Sequence, residues 1–231
     1  MIFVKSEDLK YGMRLAKPIY NKTGVLLYER NTRLTLQGIE SVKNFGLLGL
    51  YILEPAEPVP PMTEEDLDFE RFQTMAVFSI REELDNIIAG REPVNLKRLA
   101  NAIITNYGRL DHKITFTQNL RSTTDYVYKH VINTAILCAL ISAQVYYTPT
   151  EQEELVLAAL LHDIGKLLLP NKVREKYDDY DTNDLIIVKK IQNDGLGLLR
   201  PEIGIDSGVR RIVARFIAWN METVIWNRAR F

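Results

Sequence analysis

A histidine and an aspartate stand side by side in an apolar segment, and this pair constrains the fold of the chain more than any other feature. The pair is His162-Asp163, it follows Leu160-Leu161, and Lys166 stands just after it. Charged groups are hard to bury in a leucine-rich helix unless they are paired, because an unpaired buried charge costs several kcal/mol or more. We therefore interpret His162 and Asp163 as half of a metal site, with a core pair satisfied by its neighbours as the alternative.

A second apolar segment offers the other half of this site. Its apolar residues recur at helical spacing, and His130 lies near its start. Residues 147–151 then predict a turn, with Thr150 as the N-cap of the next helix and Glu153 at the capping-box spacing. Two antiparallel helices joined by this turn would place His130 opposite His162. Imidazole and carboxylate ligands suit a divalent ion that activates water or polarises a phosphoester, so the pattern indicates phosphoester cleavage.

These two segments resemble the HD superfamily of metal-dependent phosphohydrolases, and specifically its HD-GYP branch, which hydrolyses cyclic di-GMP. The residues that carry the resemblance are Asp125-Tyr126-Val127-Tyr128-Lys129-His130 and Ala159-Leu160-Leu161-His162-Asp163-Ile164-Gly165-Lys166. The similarity extends over residues 125–213. It implies an all-helical domain with a divalent ion such as iron or manganese. The metal ligands that it implies are His130, His162 and Asp163, and the catalytic residues are Asp163 and Lys166, with Lys166 near the substrate phosphate.

The chain departs from the family after Asp163, and these departures decide the expected function. It contains three histidines, and none follows His162. The family has a further histidine where this chain has Ile191-Gln192-Asn193, a histidine pair where it has Phe216-Ile217, and a Gly-Tyr-Pro loop where it has Thr223-Val224-Ile225. Three ligands from one side of a site cannot hold two or three ions in the family's manner, and a single ion would need waters or other carboxylates to complete its shell.

We therefore expect impaired catalysis and a regulatory or binding role in cyclic di-GMP signalling. An active cyclic-dinucleotide phosphodiesterase with a reduced metal site is the alternative, and a structural interaction domain that binds no nucleotide is a third hypothesis. The helical domain is also expected to be incomplete at its C-terminus. A reading frame shifted by one base over residues 219–225 is compatible with the family's loop, so a frameshifted or truncated gene and drift by point substitution both stay open.

The sequence as a whole predicts a mainly α protein, with a small β-rich unit before the all-helical HD-type domain. The β-rich unit covers residues 1–54, where β-type runs at 2–4, 13–20, 25–28 and 48–53 flank a helix capped by Thr35. Residues 55–63 form a proline-rich linker, because closely spaced prolines favour extended backbone. The helical domain covers 64–231. It opens with a long amphipathic helix at 64–88 and continues with helices at 95–107 and 119–124.

Charge and hydropathy restrict the expected partners. Lysine and arginine number 29 against 30 aspartates and glutamates, so the formal net charge is −1 and we expect neither a nucleic acid polymer nor a membrane as partner. The longest apolar stretch, 131–145, is interrupted by polar residues and is shorter than a membrane span of about 20 residues. The first residues do not resemble a signal peptide, so we expect a cytoplasmic protein. A cyclic dinucleotide is the expected small-molecule partner, and a homodimer through the long helix is an open alternative.

Three further features have ordinary structural interpretations. The single cysteine, Cys138, has apolar helical neighbours, which favours packing over a reactive thiol. His112 stands in a polar stretch and is expected in an exposed loop. The arginines near the C-terminus are expected on solvent-facing helix sides rather than in a phosphate-binding patch. They are Arg210, Arg211, Arg215, Arg228 and Arg230.

Overall fold

The structure is a computed structural model that describes the backbone of residues 1–110, 125–174, 176 and 180–228, with side chains except those of 125 and 220–228. The chain is mainly helical, with a small β-rich part at its N-terminus, which confirms the predicted fold class. It divides into two compact units, residues 1–78 with 125–129, and residues 79–110 with the chain from His130 onward. The helix predicted at 119–124 and the loop predicted around His112 lie outside the described residues.

The first unit contains two small antiparallel sheets. A three-stranded sheet has the order β1 (Ile2–Lys5), β5 (Gly49–Leu53), β2 (Arg14–Leu15), and a two-stranded sheet pairs β3 (Ile19–Tyr20) with β4 (Leu26–Tyr28). The run predicted at 13–20 is therefore two short strands rather than one. Pro18 lies at the break, because proline has no N–H to donate to a ladder.

Helix α1 (Leu36–Asn44) packs on these strands and has the predicted ends. The Thr35 hydroxyl accepts a hydrogen bond of 3.0 Å from the Gly38 N–H at its start. Gly46 follows its last turn with φ +69°, a left-handed conformation that glycine adopts without steric cost. The buried face of α1 joins the strands in one apolar cluster, which includes Leu15, Leu34, Ile39, Val42 and Leu50.

Helix α2 (Glu64–Ile88) begins and ends where the sequence predicts. Thr63 caps it, since the Thr63 hydroxyl accepts from the Asp66 N–H at 3.2 Å and the Asp66 carboxylate accepts from the Thr63 N–H at 2.9 Å. Within the first unit, Glu70 of this helix forms a buried ion pair with Lys17. Burial raises the pKa of the Glu70 carboxyl above its ordinary value, although the neighbouring Lys17 ammonium acts in the opposite direction.

The second unit is helical, and one of its helices is buried over its C-terminal half. The further α-helices of the described chain are α3 (Leu96–Tyr107), α4 (Asp125–Gln144), α5 (Pro149–Leu161), α6 (Asn171–Arg174), α7 (Thr182–Leu198) and α8 (Ser207–Arg228), and a 3-10 helix at Ile164–Leu168 follows α5. All of α4 from His130 onward lies in the second unit. α5 packs against α3 and α8, while α7 packs against the 3-10 helix and α8. All residues from Val156 to Leu161 are buried. The C-terminal end of α5 therefore delivers the next residues of the chain into the interior.

The connection between α4 and α5 is short, as predicted, but its cap is Thr148 rather than Thr150. The Thr148 hydroxyl accepts from the Glu151 N–H at 3.3 Å, and the Glu151 carboxylate accepts from the Thr148 N–H at 2.9 Å. The helix starts at Pro149 because the fixed φ and missing N–H of proline suit the first helical position. Residues 145–148 thus join α4 and α5 into a helical hairpin.

Of the described helices, one is long and apolar enough, by length and composition, to cross a membrane: Tyr126–Gln144 in α4. The apolar stretch at 131–145 is therefore part of a longer apolar helix, which starts before residue 131. A buried core helix of a soluble protein meets the same criterion. Val131, Ala135, Ile136 and Ala139 are fully buried in α4, which favours the core-helix interpretation.

Candidate metal centre

The α4–α5 hairpin brings the start of one helix to the end of the other, and the predicted site residues meet there. His130 lies near the start of α4, and His162 follows α5 as its C-cap. Their Nε2 atoms lie 3.2 Å apart. The Asp163 Oδ2 atom lies 3.5 Å from Nε2 of His130 and 3.6 Å from Nε2 of His162. The structure thus brings together the three residues that the sequence predicts as ligands.

These separations suit the ligand atoms of one divalent ion. Tetrahedral coordination with bonds of about 2.1 Å places ligand atoms about 3.4 Å from one another. The observed separations of 3.2, 3.5 and 3.6 Å bracket that value. Two imidazoles and one carboxylate also match the ligand sets of catalytic metal sites, which leave a position open for water or substrate. His130, His162 and Asp163 could therefore hold a metal ion.

The orientation of His162 is fixed by its backbone surroundings. Its Nδ1–H donates a hydrogen bond of 2.7 Å to the Ala159 carbonyl, one turn earlier in α5. This bond assigns the proton to Nδ1 and leaves the Nε2 lone pair for a ligand, the arrangement usual for metal-binding histidines. The His162 ring is buried, whereas the side chain of His130 is 39% exposed. An ion and its open coordination position would therefore be reached from the His130 side.

The Asp163 carboxylate is fully buried and has different partners on its two oxygens. Oδ1 accepts a hydrogen bond of 3.0 Å from the Gln192 amide, and Oδ2 lies 3.1 Å from the Lys166 ammonium. Burial raises the pKa of the Asp163 carboxyl, but the surrounding positive charges outweigh burial and hold this pKa below its ordinary value. The interactions that lower it are those with His162 and His130, when their rings are protonated, and with Lys166. The buried carboxylate is therefore ionised, and it carries the negative charge that a cation site needs.

Oδ2 of Asp163 is also the oxygen left without a well-directed hydrogen bond among the described residues. A buried carboxylate oxygen of this kind is costly unless something compensates it. Lys166 compensates part of the charge from one side. A divalent ion between Oδ2 and the two histidine nitrogens would complete the compensation, so the residues present fit a metal.

The contribution of Gln192 was not predicted from the sequence. The family's further histidine falls on the segment 191–193, and the sequence pattern does not distinguish which of these residues faces the site. In the structure, Gln192 faces Asp163, whereas Ile191 packs on a separate apolar cluster. One signal was available: Gly195 lies one helical turn after Gln192, and a glycine inside a helix can mark a close contact, although Gly197 in the same helix has none.

That close contact is between α7 and the turn that carries Asp163. A Cβ atom on Gly195 would lie 2.6 Å from the Gly165 N and Cα atoms, and one on Gly165 would lie 2.7 Å from the Gln192 Cα atom. Neither position has room for a side chain. The two glycines therefore let the backbone of α7 approach the site closely enough for the Gln192 side chain to reach Asp163.

The predicted histidine-pair position carries no ligand, as the sequence indicated. The Phe216 ring of α8 lies against His162, with ring centroids 5.3 Å apart and planes inclined by 34°, and Ile217 is buried in the core. The side chains of 223–225 lie outside the described residues. Arg210, Arg211 and Arg215 are exposed on α8, in agreement with the solvent-facing interpretation. Arg228 and Arg230 lie outside the described side chains.

Comparison with known protein families identifies one match. Residues 127–224 match the family described as the HD domain. The matched range contains the three candidate ligands, and it supports the predicted relation to the HD superfamily. An HD domain suggests a metal-dependent phosphohydrolase. No curated protein and no solved structure matches the chain.

Proposed function

We propose that this protein is a metal-binding module of the HD-GYP branch that acts in cyclic di-GMP signalling with impaired catalysis. One observation carries the proposal: three ligand atoms converge on one point, while Gln192 and Phe216 border the site at the positions where further ligands would be needed. A half-site of this kind can bind one ion. It lacks the ligands for the additional ions that the family resemblance implies.

The roles of the side chains follow from their positions. His130 and His162 would present Nε2 lone pairs and Asp163 its Oδ2 atom to the ion. When bound, a divalent ion supplies charge neutralisation and an activated water for phosphoester cleavage. Lys166 lies beside Oδ2, and its ammonium is placed to pair with an anionic phosphate oxygen. Phe216 offers only an apolar ring next to His162, so it excludes water without binding charge.

Impaired turnover is the central expectation. Removal of one charge-stabilising group from an active site typically costs a factor of about 100 to 1,000 in rate, and this chain lacks several. We expect turnover of cyclic di-GMP with excess Mn²⁺ or Fe²⁺ to stay at the level of the His162→Ala variant. A wild-type rate well above that variant would favour the alternative function, an active phosphodiesterase with a reduced metal site. The intact His162, Asp163 and Lys166 keep that alternative open.

Binding of cyclic di-GMP without turnover tests the signalling role. We expect Lys166→Met to weaken the binding measured by equilibrium dialysis with labelled nucleotide, because the ammonium beside the site is lost. Lys172→Met is the matched control, since Lys172 is an exposed lysine on α6. Equal binding by the two variants, or no binding by the wild type, would contradict the cyclic di-GMP proposal.

The remaining expectations from the sequence belong to the same proposal. They are a cytoplasmic location, no membrane or nucleic acid polymer as partner, a domain division at 1–54, 55–63 and 64–231, and a homodimer as an open alternative. Sedimentation analysis measures the oligomeric state. Limited proteolysis tests the division, because cleavage within the proline-rich segment 55–63 should release an intact helical fragment.

A further inference from the structure

The geometry points to Gln192 as a positioning residue: its amide holds the Asp163 carboxylate in the rotation that turns Oδ2 towards the two histidines. This inference rests on the proposed metal-binding function and deepens it. Gln192 is itself buried, and among the described residues it provides the well-directed hydrogen bond to the Asp163 side chain. The role is one that neither the sequence pattern nor the HD-domain match assigns.

An aspartate carboxylate can rotate unless a partner holds it. The two oxygens of an aspartate are chemically equivalent, and rotation about the terminal torsion is soft. Only a specific partner can therefore fix which oxygen faces an ion. The Gln192 Nε2 atom lies 3.0 Å from Oδ1, which leaves Oδ2 at 3.5 and 3.6 Å from the two histidine nitrogens. Asp163 would thus coordinate an ion through one oxygen.

Gln192 is itself held in place by the packing of α7. Its side chain leaves α7 one helical turn before Gly195, whose position lies directly on the backbone of Gly165. The Gln192 Oε1 atom is buried without a hydrogen-bond partner in the described part of the chain, and it faces the space where Gly165 lacks a side chain. Close packing against Gly165 therefore restricts the rotation of the amide. The backbone contact between Gly195 and Gly165 therefore sets the distance from the Gln192 amide to Asp163.

Gln192 is placed to position a ligand rather than to be one. The Gln192 nitrogen is directed at the Asp163 carboxylate, and an amide nitrogen in this role donates a proton rather than a lone pair. Partners of this kind behind the ligands of a metal site typically change metal affinity by about 10- to 100-fold. We expect Gln192 to act on an ion through Asp163 in this way.

The experiment compares two amide-to-leucine substitutions on the same helix. Gln192→Leu removes the donor at similar size, and Asn193→Leu is the matched control because Asn193 is exposed and its side chain donates to the Lys189 carbonyl of its own helix. The dissociation constant for Mn²⁺ is measured by electron paramagnetic resonance on the full chain, with His162→Ala marking binding outside the site. We expect about 10- to 100-fold weaker binding for Gln192→Leu and no change for Asn193→Leu.

Two spectroscopic measurements separate positioning from a merely structural effect. The visible spectrum of the Co²⁺-loaded protein should change in Gln192→Leu, since a freed Asp163 carboxylate can bind through both oxygens, and stay unchanged in Asn193→Leu. In metal-free wild-type protein, the Gln192 side-chain amide protons should resonate downfield as a carboxylate-bound donor and should shift in Asp163→Asn. These signals depend on the contact itself rather than on stability.

Each outcome decides a different claim. If the dissociation constant of Gln192→Leu for Mn²⁺ stays within twofold of the wild-type value, the positioning role is overturned and the proposed function stays intact. If the wild type binds no more Mn²⁺ than His162→Ala, the metal-binding proposal fails. The amide resonance then decides alone whether Gln192 holds Asp163, and an amide signal like that of a solvent-exposed glutamine would refute the inference.

Discussion

The contact between Gly165 and Gly195 allows the effect of alanine substitution on stability to be predicted for two glycines of α7. Gly195 and Gly197 both lie in the last turns of this helix, but an added Cβ would meet the Gly165 backbone at 2.6 Å from position 195 and nothing within 4 Å from position 197. Ordinary contact between carbon atoms lies at about 3.5–4.0 Å. Gly195→Ala must therefore move α7 away from the site by about 1 Å, whereas Gly197→Ala needs no movement.

The energies of the two variants follow from this difference. Both substitutions gain up to about 0.5–1 kcal/mol from the higher helix propensity of alanine. Gly195→Ala in addition carries the cost of overpacking, typically about 1–3 kcal/mol. Since the propensity gain is shared, the difference between the two variants isolates the packing cost. We expect Gly195→Ala to unfold with a free energy about 1–3 kcal/mol lower than that of Gly197→Ala.

The assay is urea unfolding of both variants, followed by far-ultraviolet circular dichroism. A separation of this size should also appear as a lower melting temperature, by roughly 2–4 °C for each kcal/mol. Gly195→Ala should in addition weaken Mn²⁺ binding, because the shift of α7 carries Gln192 away from Asp163. Equal stability of the two variants would refute the reasoning, since it would show that α7 does not rest on the Gly165 backbone.

Three further predictions concern other parts of the chain. Phe216→His places a third imidazole beside His162 and should tighten Mn²⁺ binding at least tenfold by equilibrium dialysis; unchanged affinity would show that the ring faces away from the ion. Removal of one member of the buried Lys17–Glu70 pair, as Lys17→Met or Glu70→Leu, should cost about 3–5 kcal/mol in urea unfolding, while the double variant should recover most of this loss. The pKa of the Glu70 carboxyl is raised in the folded protein. Its contribution to the free energy of unfolding is therefore largest below its unfolded pKa and is lost as the pH rises through its folded pKa. Unfolding at several pH values between about 4 and 7 would reveal this loss. Burial raises the pKa of the Cys138 thiol to about 11, so a thiol reagent at neutral pH should label it slowly until the protein is unfolded, and rapid labelling of folded protein would contradict its packing role.

The sequence was most informative where a structural element depends on its own residues. The periodic apolar pattern of α2 predicted both of its ends, and Thr35 and Gly46 marked the ends of α1, because amphipathic spacing and caps are local signals. The N-cap of α5 was misplaced for a local reason as well. Thr148 and Thr150 both precede acidic residues at the capping-box spacing, and Pro149 decides between them.

The site was predictable only in part, because its contacts with α7 and α8 join distant segments. His130, His162 and Asp163 could be recognised from residue type and from the hairpin that connects them. The role of Gln192 depends on the close approach of α7 to Gly165, and nothing in the segment 191–193 states which of its side chains faces inward. Helix α4 shows a related limit, since composition gives the length of an apolar helix but not what covers it.

The α4–α5 hairpin has a consequence for the order in which the site assembles. Its three candidate ligands lie on adjacent segments, and closing a short connection costs little conformational entropy. Contacts that are local in sequence generally form faster than those that join distant segments, and a chain emerges from the ribosome N-terminal end first. The two histidines and Asp163 can thus come together while α7 and α8 are still being synthesised. Gln192 and Phe216 then pack against three candidate ligands that are already close together.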